Sequence, residues 1–419
     1  MKKYRIFGAP GCGKTTWIIN KINSLVAEGT PVNKIMCLSF TNQTVNEFKS
    51  RLREKKPDAT DEELKYFKTI HSICNQSRTD GRIIFGEQHY QFFKNFDKEE
   101  IERLYFLYNL KREKSAQLEL EEYNEYDLEE FEKQLEELKN NYGLLDFTDM
   151  LIDFNKNIDI DYLFVDESQD LSYWQWKVVD KLMSNCKEVY IVLDDCQAIF
   201  DWAGANVDII LNKKEFEDIV LPITYRLPKK IFDFSQEILK DINITRYKDI
   251  KLENKKIGNI EVNYSLAEVD FINNQEYLIL TRNVFMYNGI IKFCKDNNFQ
   301  ISIEKVPLYT EKQIKAVKDF IESGKEITIN IPEEEISYIY NSYIKNNIKV
   351  NISTIHKAKG SECDNVVLFT QLTKTQYKQL YQEDKLEELK VLYVGVTRSR
   401  ENLYIIDKGN YKYDVEQYF

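Results

Sequence analysis

Short apolar runs recur along the chain, and amphipathic stretches follow several of them. KYRIFG at the N-terminus predicts a strand, and TTWIINKINSLVAEG predicts a helix ending at Gly29. KIMCLSF predicts a second buried strand and TVNEFKSRLREKK a second helix, with FKTIHSIC as a further strand or loop. Such alternation builds a parallel sheet with helices on both faces. From about residue 76 to 143 the pattern turns aromatic-rich and helical, and reads as an inserted subdomain. IDYLFVDESQD and EVYIVLDDCQAIF then restore buried strands with acids at their ends, and LPITYRLP closes this α/β unit near residue 222. A second α/β unit follows, with strands at NIEVNYS, EYLILTRN, KVNISTIH, NVVLFT and NLYIID. The stretch between ISIEKV and KVNIST predicts two helices and reads as a small insertion. The resulting division is 1–75 with 144–222, 76–143, 223–304 with 350–419, and 305–349.

Composition sharpens this picture. A chain of 419 residues exceeds one compact core. With 43% hydrophobic and 30% charged residues it has the apolar content for real cores and a polar surface. No run of 18 apolar residues occurs, so no membrane span is expected. MKKYRIFGAP passes straight into a strand and loop, which predicts no leader peptide. The seven cysteines are scattered without a C-x-x-C pair, which predicts reduced thiols in a cytoplasmic setting. His71, His89 and His356 lie far apart and make no zinc pattern. A net charge of −11 alone argues against nucleic-acid binding. Much of the acid, however, sits in 118–141, which reads as a solvated helical face. The 58 Lys and Arg leave room for a basic groove elsewhere.

Two motifs carry candidate chemistry. GAPGCGKT fits G-x-x-x-x-G-K-[ST] in full, placing Gly8, Ala9, Pro10, Gly11, Cys12 and Gly13 in a loop between a strand and a helix. Backbone N–H groups of such a loop turn towards phosphates, and the helix N-terminus adds its positive end. Lys14 supplies a point charge, the Thr15 hydroxyl suits Mg²⁺, and Thr16 continues the first helical turn. In LFVDESQD, Asp166 and Glu167 follow an apolar strand at the ligand edge of an open α/β sheet. There Asp166 can hold Mg²⁺ through water, and Glu167 can polarise the water that attacks the terminal phosphate.

Together these residues resemble the UvrD/Rep-type superfamily 1 DNA helicases, and further motifs stand in the family's order. They are LSFTNQTVNEFKSRL, FKTIHSIC, LLDFTDML, IVLDDCQAIFDWAGA, ITYRLP, ISTIHKAKGSECDNVVLF and LYVGVTRSRENLYI. The resemblance implies two RecA-like P-loop NTPase domains with parallel sheets, a helical insertion in the first and a small one in the second. It implies ATP and Mg²⁺ as cofactors and ATP hydrolysis between the two domains. The activity implied is translocation along single-stranded DNA in the 3′→5′ direction, with unwinding at duplex junctions. It further implies a compact monomer of a bacterial cytoplasm or a phage, without membrane association, serving replication or repair proteins. Gln197 matches the γ-phosphate sensor, Tyr225 the residue stacked on the nucleotide base, and Arg226 and Arg398 the arginine fingers. Glu362 matches a ribose contact, with Gly360 beside it. Phe40 and Trp202 match base-stacking positions, and Thr41, Asn42, His71, Thr354 and His356 match polar contacts to the DNA backbone. The chain departs from the pattern at Leu193, Ala203 and Ser361, where the family carries Gly, Arg and Leu, and it lacks the extension with the adenine-reading glutamine. Two other readings stay open: a nucleotide-switched DNA-binding adaptor that separates no strands, and RNA as the track.

Overall fold

The computed structural model describes residues 1–113, 125–382 and 385–418. Residues 118–124 of the acidic stretch lie outside the described residues. The chain divides into two compact units, Met1–Ala9 with Gly13–Leu221, and Pro10–Cys12 with Pro222–Phe419.

The first unit runs β1 (Lys2–Phe7), α1 (Lys14–Ala27), β2 (Ile35–Ser39), α2 (Asn42–Lys55), β3 (Phe67–Thr69), α3 (Ile70–Gln76) and β4 (Ile83–Ile84). It continues through α4 (Lys98–Arg112), α5 (Glu125–Tyr142), β5 (Leu144–Leu145), α6 (Phe147–Ile152) and β6 (Tyr162–Val165). It ends with α7 (Tyr173–Met183), β7 (Glu188–Leu193), α8 (Asp208–Leu211) and β8 (Glu217–Val220). Six strands form one sheet in the order β3-β2-β6-β7-β1-β8, and every pairing in it is parallel. β2 is buried at every position, as expected of a strand covered on both faces. FKTIHSIC divides in two: β3 adds an edge to the sheet, and Thr69 then caps α3, its Oγ1 accepting from the Ser72 N–H at 3.2 Å.

α4 and α5 pack through a core of their own that includes Leu104, Leu107, Leu128, Phe131 and Leu135. Apolar residues at helical spacing face inward and leave the acids of α5 outward. Lys139 is the exception. It is buried, and its Nζ lies 2.6 Å from Asp146 and 2.9 Å from Asp149. Arg112 at the end of α4 pairs with the same two carboxylates at 2.7 and 2.5 Å. Two cations and two anions thus compensate one another and fasten α4 and α5 to α6.

The second unit runs β9 (Ile223–Thr224), α9 (Lys229–Ile242), β10 (Lys251–Leu252), β11 (Asn259–Asn263), β12 (Glu276–Thr281), α10 (Tyr287–Asp296), β13 (Gln300–Ile303) and β14 (Val306–Pro307). It then runs α11 (Glu311–Ser323), α12 (Glu333–Tyr340), β15 (Lys349–Thr354), β16 (Cys363–Phe369), α13 (Lys374–Gln382), α14 (Lys385–Val396) and β17 (Ser399–Ile406). Seven strands form a sheet in the order β11-β17-β16-β12-β15-β13-β14, parallel except for the terminal β13–β14 pair. α11 and α12 do not build a separate core. Val317, Tyr338 and Ile339 join the cluster formed by Ile301, Val350 and Ile352 of the sheet. Both units therefore have the α/β, parallel-sheet class that the sequence predicts. Among the described residues, no helix is long and apolar enough to cross a membrane.

Candidate functional site

The loop after β1 is shaped by its glycines. The Gly8 N–H donates to Leu193 O at 3.1 Å, which ties the start of the loop to the end of β7. Gly11 and Gly13 have φ of 75° and 74°, a left-handed conformation that glycine adopts without steric cost. Gly13 caps α1 without a side-chain hydrogen bond, which leaves the first-turn N–H groups suited to an anion. A Cβ on Gly8 would lie 2.7 Å from Lys14 Cγ, because the lysine stem crosses that residue. Lys14 Nζ donates to Gly8 O at 3.0 Å. Ala9, Pro10 and Cys12 are buried, while Thr15 and Thr16 open α1. Thr16 Oγ1 accepts from Arg51 Nη2 at 2.9 Å.

Opposite the loop stand the acids that follow β6. Asp166 is buried, and its Oδ1 has no hydrogen-bond partner among the described residues. Burial, and then the charge of Glu167, push its carboxyl up to about 7, and Lys14 works against them. A buried carboxylate oxygen without a donor is costly, and a divalent cation is the natural partner for it. Asp166 therefore suits a divalent cation, and the backbone of the loop suits phosphates. Glu167 has φ 49°, an uncommon conformation for a residue with a side chain. Its Oε2 accepts from Gln169 Nε2 at 2.5 Å. Asp194, which burial raises above the usual carboxylate range, accepts from Gln197 Nε2 at 2.6 Å.

The end of β2 and the segment after β7 carry an aromatic shelf. Phe40 stacks on Phe200 with centroids 6.4 Å apart and 15° between planes. Trp202 is 50% exposed, so its ring is not core filling. Phe106 of α4 lies 5.8 Å from it. His71 meets Phe147 edge-on at 5.5 Å. Phe40, His71, Phe106, Phe200, Thr148 and Asp170 line a cavity of about 250 Å³. Burial lowers the His71 pKa, so the imidazole is neutral at pH 7. Thr41 caps α2, its Oγ1 accepting from the Thr44 N–H at 3.2 Å, and Asn42 is the first helical residue. Sequence reasoning misses Phe106, Phe147 and Phe200. The signal available for Phe200 is an aromatic two places before Trp202, whereas Phe106 comes from the helical stretch and carries none.

In the second unit Tyr225 is exposed, and Arg226 Nη1 pairs with Glu362 Oε2 at 2.8 Å. Arg400 Nη1 lies 3.5 Å from the other oxygen of Glu362. Gly360 has φ 79°, and a Cβ there would meet nothing within 4 Å, so the backbone turn is what requires glycine. Arg398 is 2% exposed. Its Nε donates to Val394 O at 3.0 Å, its Nη2 to Thr397 Oγ1 at 3.2 Å, and its Nη1 to Ser361 O at 3.4 Å. Thr354 ends β15, and its Oγ1 accepts from the Lys357 N–H at 3.3 Å, with His356 buried in the same turn. Lys14, Thr15, Asp166, Glu167 and Gln197 thus gather at the carboxyl ends of β1, β6 and β7. Tyr225, Arg226, Gly360, Glu362, Arg398, Thr354 and His356 belong to the second unit.

Comparison with known proteins adds to this geometry. Residues 2–217 match the sequence model of the UvrD/REP helicase N-terminal domain, and residues 349–406 match that of the UvrD-like helicase C-terminal domain. A probable DNA helicase II homolog of Mycoplasma capricolum is 27% identical over 360 residues, covering 73% of this chain and 48% of the relative. A probable DNA helicase of Mycoplasma pneumoniae is 23% identical over 453 residues, covering 96% and 80%. The ATP-dependent DNA helicase PcrA of Staphylococcus aureus is 24% identical over 416 residues, covering 82% and 56%. The chain therefore spans about half the length of the first and third of these relatives.

Proposed function

The chain belongs to the UvrD/REP helicase family, and on that premise we propose that it is an ATP-dependent DNA helicase that moves 3′→5′ along single-stranded DNA. The observation that carries this reading is the order of neighbouring strands at one sheet edge. β2, β6, β7 and β1 lie side by side. At their carboxyl ends they present Phe40, the Asp166–Glu167 pair, the Asp194–Trp202 segment and the phosphate loop. The strands that lead into the nucleotide motifs and the aromatic surface are thus neighbours in one sheet, which suits an ATPase coupled to a stacked polymer.

In this reading Gly8, Ala9, Pro10, Gly11, Cys12, Gly13, Lys14, Thr15 and Thr16 hold the phosphates of ATP. Thr15 and Asp166 hold Mg²⁺, which when bound neutralises charge on the phosphate oxygens. Glu167 takes a proton from the attacking water, and Gln197 reads the terminal phosphate. Arg226 and Arg398 neutralise the charge that develops on it. Tyr225, Gly360 and Glu362 receive the nucleoside. Phe40 and Trp202 stack on bases, while Thr41, Asn42, His71, Thr354 and His356 contact the DNA backbone. The domain organisation we favour has segments 76–143 and 305–349 inserted in two RecA-like domains. A monomer in a bacterial cytoplasm, or encoded by a phage, working with replication or repair proteins, is consistent with it.

Duplexes with 3′ or 5′ single-stranded tails test the reading. The expected result is ATP-dependent displacement from the 3′-tailed duplex only. Lys14→Ala should reduce DNA-stimulated ATP hydrolysis roughly 100-fold or more while circular dichroism stays native. Hydrolysis without displacement would favour the adaptor reading, and equal stimulation by RNA would favour RNA as the track.

A further inference from the structure

Gln169 sits in the turn directly after β6, is wholly buried, and so far appears only as the donor to Glu167, with no role assigned to it. Both ends of its amide are engaged. Nε2 donates to Glu167 Oε2 at 2.5 Å and to Asp170 Oδ2 at 3.3 Å. Oε1 accepts from the Asp194 N–H at 3.0 Å. Asp194 opens the turn after β7, where its carboxylate accepts from the Cys196 N–H at 3.2 Å and from Gln197 Nε2 at 2.6 Å. A second link, Ser168 Oγ to Val192 O at 3.0 Å, pins the same two strand ends together. A continuous hydrogen-bonded chain therefore runs Glu167–Gln169–Asp194–Gln197.

We propose that Gln169 is a positioning residue, locking the Glu167 carboxylate to the Asp194–Gln197 turn so that the proton acceptor and the terminal-phosphate sensor hold one fixed geometry. This rests on the roles of Glu167 and Gln197 in the proposed function. The chemistry of the side chain supports it. The position must donate to a carboxylate and accept from a backbone N–H at once. Glutamine does both, whereas glutamate lacks the donor, lysine the acceptor and methionine both. The left-handed backbone of Glu167 persists only when its surroundings over-determine it, and the buried amide supplies that constraint. A misplacement of a reacting group by an ångström costs rate rather than binding.

Two substitutions separate the positioning role from simple core filling. Gln169→Glu keeps the shape and the acceptor for Asp194 and offers Glu167 a donor only while its own carboxyl is protonated, so its rate is compared at pH 7 and pH 9. Gln169→Met keeps the length and removes both. For each, kcat of DNA-stimulated ATP hydrolysis should fall roughly 10- to 100-fold. KM for ATP, and the Kd of a fluorescent non-hydrolysable ATP analogue, should stay within about twofold. Combining Gln169→Glu with Gln197→Ala should cost no more than about twofold beyond the worse single variant, since one chain cannot be broken twice. A Gln169→Met kcat within twofold of wild type overturns the proposal. So does a rate loss matched by an equal loss of analogue binding, or a double loss equal to the product of the single ones. Should Gln169→Glu fold poorly, Gln169→Met, which adds no charge to the buried site, carries the same comparison. Glu167→Gln, measured in parallel, separates the two levels. If it hydrolyses ATP at the wild-type rate, the reading of the site falls and this proposal with it. If it is inactive while both Gln169 variants behave as wild type, only the positioning role falls.

Discussion

Single residues on the aromatic shelf make quantitative demands. Burying one face of Trp202 against a base is worth about 1–3 kcal/mol. Trp202→Ala should therefore weaken single-stranded DNA binding roughly 5- to 160-fold in fluorescence anisotropy, and leave DNA-independent ATP hydrolysis within about twofold. His71 tests burial in another way. Its folded pKa is depressed, so below about pH 6.5 the unfolded chain binds protons that the folded chain refuses. Stability is then full above that pH and declines as pH falls through the window beneath it. His71→Asn should flatten the change in urea midpoint between pH 7.5 and 5.5. At this scale the sequence is legible where spacing is local. Lys14, Asp166 and Trp202 stand in contiguous motifs, whereas Phe106 reaches the shelf only because α4 folds back onto it. Gln169 lies inside the quoted DESQD, but nothing in the letters reveals that its amide bridges two strands.

At the scale of elements, buried charge decides how the helical segment is held. Lys139, Arg112, Asp146 and Asp149 form a compensated group in which Asp146 is fully enclosed. Lys139→Met leaves a buried anion short of a partner and should cost about 3 kcal/mol or more in urea unfolding. The exposed Lys98–Glu87 pair offers a contrast: Lys98→Met should leave the urea midpoint essentially where it is in wild type. The acidic face of α5 follows from helical periodicity, but the inward turn of Lys139 does not, because its partners come from beyond the helix. β8 escapes sequence reading for a similar reason. It is an edge strand whose Asp218 accepts from Arg5 Nε at 2.6 Å, so its charges serve a cross-strand pair in a stretch that reads as loop. The strands with continuous apolar runs, such as β2, β7 and β16, are plain from the letters alone.

For the whole molecule, the division into two compact units with their own sheets predicts more than one unfolding step. Scanning calorimetry should give a total enthalpy larger than the van't Hoff value of a single transition. The net charge of −11 is concentrated in the acidic stretch 118–141, and DNA binding would depend on local cations elsewhere. The logarithm of the DNA-binding constant should fall linearly with the logarithm of salt concentration, with a slope that counts phosphate contacts. The α/β class was open to sequence reasoning because strand and helix periodicities alternate. The sharing of one core between α11, α12 and the second sheet was not, since it depends on which apolar faces meet. That shared core limits how far the chain can be trimmed. Excising the two helices would strip the roof from Ile301, Val350 and Ile352 and leave a sticky face in its place. The smallest stably folded chain of this design keeps both helices.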